Sequence, residues 1–380
     1  MLKRVPILLF IILLFLLYFK ETSFDDETIK IGSSLPKNGI IEAWGRSVIS
    51  GANAYFHYAN EQKLLGDKKI DFIVYDDKYE PDLTIDNINK LIYKDNVYAL
   101  FGLVGTPTVK NILPIVDDEE IPLFAPFSGA SFLRNINKNY INLRTSYSNE
   151  IETLIEHLTK KREFEKFAVF YQNDDYGEEG YVSLLNSLNK RKMEIAAEGS
   201  YKRNTLSINH AFYEIRDAKP QAVIMVGAYK ANALFIKKAK ADPNFKDTVF
   251  CIISFGDANE MIHELNILDT DTSNLIFSQI VPYYNDTSIE VINQYKTLMK
   301  KYYPEEKAGF ISLEAFLASK VLVTALQNIN GNITRNKLLI SLRNLPEDTL
   351  EGLKIQYKNT ALLNKVYLFK YKDNRFKEIR

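Results

Sequence analysis

Two short loops carry the residue types best suited to holding the polar end of a small molecule. Gly102-Leu-Val-Gly-Thr-Pro-Thr108 follows an apolar run and opens a helical stretch, with Thr106 and Thr108 on either side of Pro107. Gly105 lets the backbone approach closely and Pro107 suits a first helical turn, so hydroxyls and free N–H groups would point at whatever sits above the helix dipole. Helix capping alone selects the same Thr-Pro-Thr, and both readings stand for this loop. The next apolar run ends in Ala125-Pro-Phe-Ser-Gly-Ala-Ser131, which places Ser128 and the small Ala130 at a neighbouring strand end. Further along, Tyr171-Gln-Asn-Asp-Asp-Tyr-Gly177 and Val226-Gly-Ala-Tyr229 end strands with a tyrosine and a glycine. Aromatic walls opposite hydroxyl loops make a ligand clamp: rings cover apolar bulk while hydroxyls and amides orient the polar end.

Catalytic chemistry finds no comparable foothold. The chain has no phosphate loop, no Gly-x-Gly-x-x-Gly, no Gly-x-Ser-x-Gly elbow and no His-Glu-x-x-His. His57, His157, His210 and His263 are scattered without ligand spacing, so no metal or other cofactor is expected. Cys251, the single cysteine, lies in the apolar run Thr248–Ser254 and reads as a buried core thiol; it also excludes a disulfide framework. Acidic clusters at Asp25–Glu27, Asp117–Glu120 and Asp174-Asp175 read as solvated faces and helix ends. Asp76-Asp77, directly after a strand, is a cleft-edge candidate for which a turn and capping role is the stronger reading.

The elements that must position these loops alternate along the chain. Strand-like Ile29–Gly32, Ile70–Tyr75, Val97–Gly102 and Ile121–Ala125 alternate with helical stretches near 44–61, 82–94 and 108–119. The first of these repeats apolar Val48, Ile49, Ala52, Tyr55, Phe56 and Ala59 at helical spacing. The rhythm resumes with helices near 149–161 and 178–191 and strands Phe167–Tyr171 and Ala222–Val226. Continuous apolar strands separated by helices require both sheet faces to be covered, which is the doubly wound α/β arrangement; two such series imply two sheets. In such sheets ligands bind outside the carboxyl ends of the strands, where the loops above lie.

Length and composition agree. At 380 residues the chain exceeds a single domain of ~150 residues. Its 46% hydrophobic and 25% charged residues are globular averages. Lys+Arg and Asp+Glu are both 48, so no net field attracts nucleic acid. Residues 1–27 read as an export segment: Lys3 and Arg4 precede an apolar stretch from Ile7 to Phe19, too short to span a bilayer comfortably. No Ala precedes Ala43, so an Ala-x-Ala cleavage site is missing, and no cysteine directly follows the stretch to accept a lipid, so a lipoprotein is not expected; both a cleaved signal peptide and an uncleaved anchor stay open.

The order and spacing of these landmarks resemble the type I periplasmic solute-binding proteins, in the leucine/isoleucine/valine-binding family of ABC-transporter receptors. The resemblance covers about residues 28–375. It rests on Gly39–Gly51 with Trp44-Gly45, Tyr75-Asp-Asp77, Gly102–Thr108, Pro126–Ser131, Arg144 with Tyr147, Asp175-Tyr-Gly177 and Gly227-Ala-Tyr229. It implies two lobes joined by a hinge, 28–146 plus 282–345 and 147–281 plus 346–380, that close around the ligand. Carried over by position, Thr106, Thr108, Ser128 and Ala130 would hold a carboxylate or amide. Trp44 would stand at the cleft edge, Tyr147 nearby, and Tyr176 and Tyr229 would close from the second lobe. One departure matters: where amino-acid binders have an acidic residue for the ligand's ammonium, this chain has Phe255. That suits an acid lacking an amine, unless the loop shifts and Asp257 substitutes. The resemblance implies a monomeric, non-enzymatic periplasmic receptor, with a small-molecule ligand and an ABC permease in the inner membrane as partners. The alternative is an extracytoplasmic sensor subunit signalling to a membrane kinase or receptor.

Overall fold

The computed structural model describes residues 27–136 and 138–379. The export segment and its cleavage or retention lie outside the described residues.

Twelve described strands form two sheets. The first has the order β2-β1-β3-β4-β5, built from β1 (Thr28–Leu35), β2 (Lys69–Asp76), β3 (Ala99–Phe101), β4 (Leu123–Phe124) and β5 (Tyr140–Ile141). All its pairings are parallel. The second has the order β12-β11-β10-β9-β8-β6-β7. Its parallel part, β6 (Phe167–Gln172), β7 (Ile195–Tyr201), β8 (Ala222–Val226), β9 (Val249–Ile252) and β10 (Leu275–Gln279), repeats the 2-1-3-4-5 order of the first sheet. The hairpin β11 (Tyr367–Lys372) and β12 (Arg375–Ile379) extends it antiparallel at one edge. Each sheet therefore reverses its strand order once, at β1/β3 and at β6/β8, and a crevice opens at each reversal.

The helices cover the sheet faces. α1 (Glu42–Glu61), α2 (Pro81–Tyr93) and α3 (Thr106–Asp118) follow the first three strands. α4 (Tyr147–Arg162), α5 (Asp175–Asn189), α6 (Asn209–Ala218), α7 (Tyr229–Lys240) and α8 (Ala258–Ile267) belong with the second sheet, and α9 (Glu290–Tyr302), α10 (Phe310–Gln327) and α11 (Arg335–Arg343) return to the first. Several helices begin earlier than their apolar periodicity predicts. α5 starts at Asp175 rather than near Glu178 because the Asp174 carboxylate accepts from Tyr176 N at 3.0 Å and closes the first turn. α10 is long and apolar enough to cross a membrane, yet 89% of its apolar window is buried inside the protein. It is a core helix packed on α1, and Gly51 permits the approach, since a Cβ there would lie 2.1 Å from Ser312 O.

Three segments pass between the sheets, after β5, after β10 and before β11. The first and third run side by side: Asn142 N donates to Thr360 O at 2.9 Å, and Leu362 N donates to Asn142 O at 3.0 Å. Arg144, fully buried on the first crossing, donates from Nε and Nη2 to the two Glu314 oxygens of α10 at 2.9 and 2.8 Å. On the other side Glu150 of α4 accepts from Ser254 N, Ser254 Oγ and Ser278 Oγ at 2.8, 2.9 and 2.6 Å. Buried ionic groups thus tie each end of the crossing to one lobe.

Candidate functional site

The carboxyl ends of the strands in the two sheets face each other, and the loops singled out in the sequence meet there. From the first lobe, Gly105 has φ 105° and caps α3, a conformation that side chains rarely adopt. A Cβ at this position would lie 2.3 Å from the Tyr79 ring, so glycine lets that ring pack over the loop. Thr106 is the first residue of α3, two residues before the start predicted from the sequence. Its Oγ1 lies 2.9 Å from Ser128 Oγ and 3.3 Å from Tyr147 OH, and Ser128 Oγ accepts from Ala130 N at 3.3 Å. Thr106, Ser128, Ala130 and Tyr147 therefore form one buried hydroxyl and amide cluster at two adjacent strand ends. Thr108 differs: its hydroxyl donates to Val104 O and Gly105 O, which occupies its proton within the helix turn.

From the second lobe come rings. Phe255, on a single turn after β9, stacks on Trp44 with centroids 4.7 Å apart. Tyr176 lies 4.6 Å from Phe255 and 5.4 Å from Tyr147, and so joins the aromatic group to the hydroxyl cluster. Trp44, expected at the edge of the cleft, is 0% exposed at its centre, with Phe127 edge-on at 5.6 Å. Tyr229 is also buried, but its hydroxyl hydrogen-bonds the backbone of Ala43, beside this group rather than within it. Two polar groups in the aromatic group have no hydrogen-bond partner, Trp44 Nε1 and Tyr176 OH. Burial pushes the Tyr176 phenol well above its ordinary pKa, so at neutral pH both are donors.

The profile of a family described as "Periplasmic binding protein" matches residues 28–375, the whole of this two-sheet arrangement. The chain belongs to the periplasmic binding proteins. No curated protein matches it. Among solved structures, a possible leucine/isoleucine/valine-binding protein from Rhodopirellula baltica SH 1 is 27% identical, with a TM-score of 0.86 over 94% of this chain and 98% of its own. A substrate-binding periplasmic protein from Ralstonia solanacearum is 22% identical, with a TM-score of 0.85 over 92% of this chain and 100% of its own. A solute-binding protein of an ABC transporter from R. palustris, in complex with benzoate, is 17% identical, with a TM-score of 0.80 over 93% of this chain and 95% of its own. Members of the family are binding proteins, so this is a periplasmic binding protein and not an enzyme.

Several residues of the binding protein's cleft escaped sequence reading. Tyr79 is 1% exposed, and its hydroxyl accepts from Gln172 Nε2 at 3.1 Å across the lobes. Tyr201 OH donates to Gln172 Oε1 at 3.2 Å and accepts from Ala228 N at 2.8 Å. These three form a polar chain along one wall, and only a pairing between distant strand ends could have revealed it. Asp76 and Asp77 belong to the turn: Asp77 accepts from Ser34 Oγ at 2.8 Å and Tyr79 N at 2.9 Å, and burial raises its pKa to about 6. Asp257 does not join the rings. It has φ 49° and accepts from Glu260 N at 3.2 Å as the N-cap of α8. Cys251 is buried in β9 and its thiol is pushed up to about 12.

Proposed function

We propose that this periplasmic binding protein captures a small carboxylate- or amide-bearing molecule without an α-amine between its lobes and delivers it to an ABC permease in the inner membrane. The observation that carries this reading is the pair of buried, unpartnered donors Trp44 Nε1 and Tyr176 OH beside the Thr106–Ser128–Tyr147 hydroxyls. Donors left without acceptors in a dry aromatic site call for a ligand that brings acceptors. By the family resemblance Phe255 stands where amino-acid binders carry an acidic residue for the ammonium, and it stacks on Trp44. Once the lobes part, the faces of Trp44 and Phe255 suit a flat or branched apolar body taken up between them. In this role Thr106, Ser128, Ala130 and Tyr147, with Trp44 Nε1 and Tyr176 OH, hold the acceptor end, while Phe255 and the ring faces of Trp44 and Tyr176 enclose the apolar body; Thr108 and Tyr229 support these groups from behind. The segments after β5, after β10 and before β11 serve as the hinge. The benzoate complex of the R. palustris neighbour is an example of an amine-free acid on this fold.

The test is thermal stabilisation of the full chain in detergent by 4-methylpentanoate, benzoate and leucine. A ligand at 100 times its dissociation constant stabilises by about 2.7 kcal/mol. Stabilisation by 4-methylpentanoate or benzoate but not by leucine is expected. Leucine binding more tightly than 4-methylpentanoate, its amine-free counterpart, would remove the role assigned to Phe255. The apolar N-terminal stretch, if retained as an anchor, favours the second reading, a sensor subunit held at the membrane. Loss of solute uptake in a deletion strain supports delivery, whereas intact uptake with loss of a ligand response supports sensing.

A further inference from the structure

The turn between β2 and α2 presents one more ring to the cleft. Lys78 and Tyr79 have φ 52° and 62°, two successive residues in the left-handed region that bulky side chains rarely adopt. Asp76 and Asp77 hold them there: Asp76 Oδ1 accepts from Lys78 N at 3.0 Å, and Asp77 Oδ1 accepts from Tyr79 N at 2.9 Å. Asp77 Oδ2 is fixed in turn by Ser34 Oγ at 2.8 Å and Thr84 Oγ1 at 3.3 Å. The two carboxylates are not the N-cap of α2, which is Glu80. What they fix is the direction of the Tyr79 ring.

That ring is 1% exposed and stands at the seam of the lobes. It packs over Gly105, beside Thr106, and its centre lies 6.2 Å from that of Phe255. Its hydroxyl is held by Gln172 Nε2 of the second lobe at 3.1 Å. The Arg203 guanidinium, also from the second lobe, stands 5.9 Å from the ring centre and is 23% exposed in its side chain. Asn204 Nδ2 reaches Glu80 Oε1 at 2.6 Å and braces the same turn. Tyr79 is therefore a layer between residues that reach solvent and the dry group around Phe255 and Trp44.

We propose that Tyr79 is a specificity-determining residue of this site, its ring limiting the apolar body of the ligand to about the bulk of a single ring. The proposal rests on the reading of the cleft as a site for amine-free acids. A wall of this kind selects by clash with the wrong ligand rather than by added attraction to the right one. The limit acts as the lobes close, because the bond that holds the hydroxyl comes from the opposite lobe.

The probes are benzoate and 2-naphthoate, which share a carboxylate and differ by one fused ring, titrated calorimetrically into the full chain in detergent. Wild type is expected to prefer benzoate. Tyr79→Gly removes the ring at a backbone angle that glycine adopts freely; Tyr79→Asn, which also tolerates positive φ, takes its place if that variant does not fold. Either should shift relative affinity toward 2-naphthoate by about tenfold or more. Tyr79→Phe keeps the ring, loses the bond to Gln172 and should keep the wild-type order. A wild-type preference for 2-naphthoate, an unchanged preference in Tyr79→Gly, or an equal shift in Tyr79→Phe overturns the proposal. Acrylamide quenching of Trp44, the only tryptophan, is read on the same proteins without an acid. It should rise in Tyr79→Gly and stay at the wild-type level in Tyr79→Phe. If neither acid binds any of these proteins, the acid reading of the cleft fails by itself and the quenching decides on Tyr79: the expected pattern supports its place as the wall, and any other pattern overturns it.

Discussion

Phe255 and Asp257, two residues apart, divide the chemistry of the site at the residue scale. Phe255 packs into the ring group, while the backbone of Asp257 turns through φ 49° and its carboxylate caps α8. Phe255→Glu returns a carboxylate to the aromatic cleft. The expected result is a lower thermal midpoint for the empty protein, from the unpaired buried charge, and a shift of at least about tenfold in relative affinity from 4-methylpentanoate toward leucine, measured by calorimetry. Asp257 also predicts a pH dependence. Burial raises its pKa from 3.8 to about 7, so in the folded protein it keeps a proton that the unfolded chain releases. Its contribution to stability is complete below pH about 4 and is lost as pH rises through about 7. The thermal midpoint of wild type relative to Asp257→Asn should therefore fall between pH 4 and 7, as scanning calorimetry at several pH values would show; a flat difference would mean that Asp257 is ionised throughout. Asp77, raised to about 6, drifts in the same direction in both proteins and cancels in the comparison.

At the scale of elements, the crossing segments carry the most concentrated buried charge. Arg144 and Glu314 are 0% and 4% exposed in their side chains and join the first crossing to α10 through two parallel hydrogen bonds. Removing one partner strands the other in a dry core, so Arg144→Met should cost about 3–5 kcal/mol in urea unfolding. The double variant Arg144→Met with Glu314→Leu should recover part of that loss, because Glu314 is no longer stranded, while the buried Glu150 still lacks the Arg144 charge. A single variant as stable as wild type would show that Glu314 finds water or takes up a proton. Most of the strand–helix alternation was legible in the sequence because apolar runs and helical periodicity are local. Helix starts were less legible, since a cap such as Asp174 acts through a hydrogen bond rather than through periodicity.

The whole molecule is described with its lobes in contact. Arg203 Nη2 meets Glu80 at 3.0 Å, Lys110 pairs with Asp175, and Ser131 Oγ donates to Glu179 at 2.6 Å, all between first-lobe and second-lobe elements. Partly exposed pairs of this kind are worth about 0–1 kcal/mol each and are screened by salt. They bias closure without locking it. Trp44, the only tryptophan, sits dry against Phe255 and reports the state directly. Arg203→Ala with Lys110→Ala should shift Trp44 emission to the red and enlarge the radius of gyration in X-ray scattering, and a cleft ligand should reverse both. Unchanged emission would place closure in the ring contacts alone.

The sequence by itself determined the α/β class, the two strand–helix series and the loops at their strand ends, because each depends on neighbours along the chain. It also indicated the hydroxyls Thr106 and Ser128 and the ring of Tyr176, and its family resemblance pointed to Trp44 and Phe255. Only the tertiary structure decided which of these meet. The cross-lobe stack of Trp44 on Phe255, the Tyr79–Gln172–Tyr201 chain and the turning of Asp257 away from the rings to cap α8 all join residues far apart in sequence or depend on one backbone angle. Periodicity holds no information about such pairings, which arise only when the strand ends of two sheets are brought face to face.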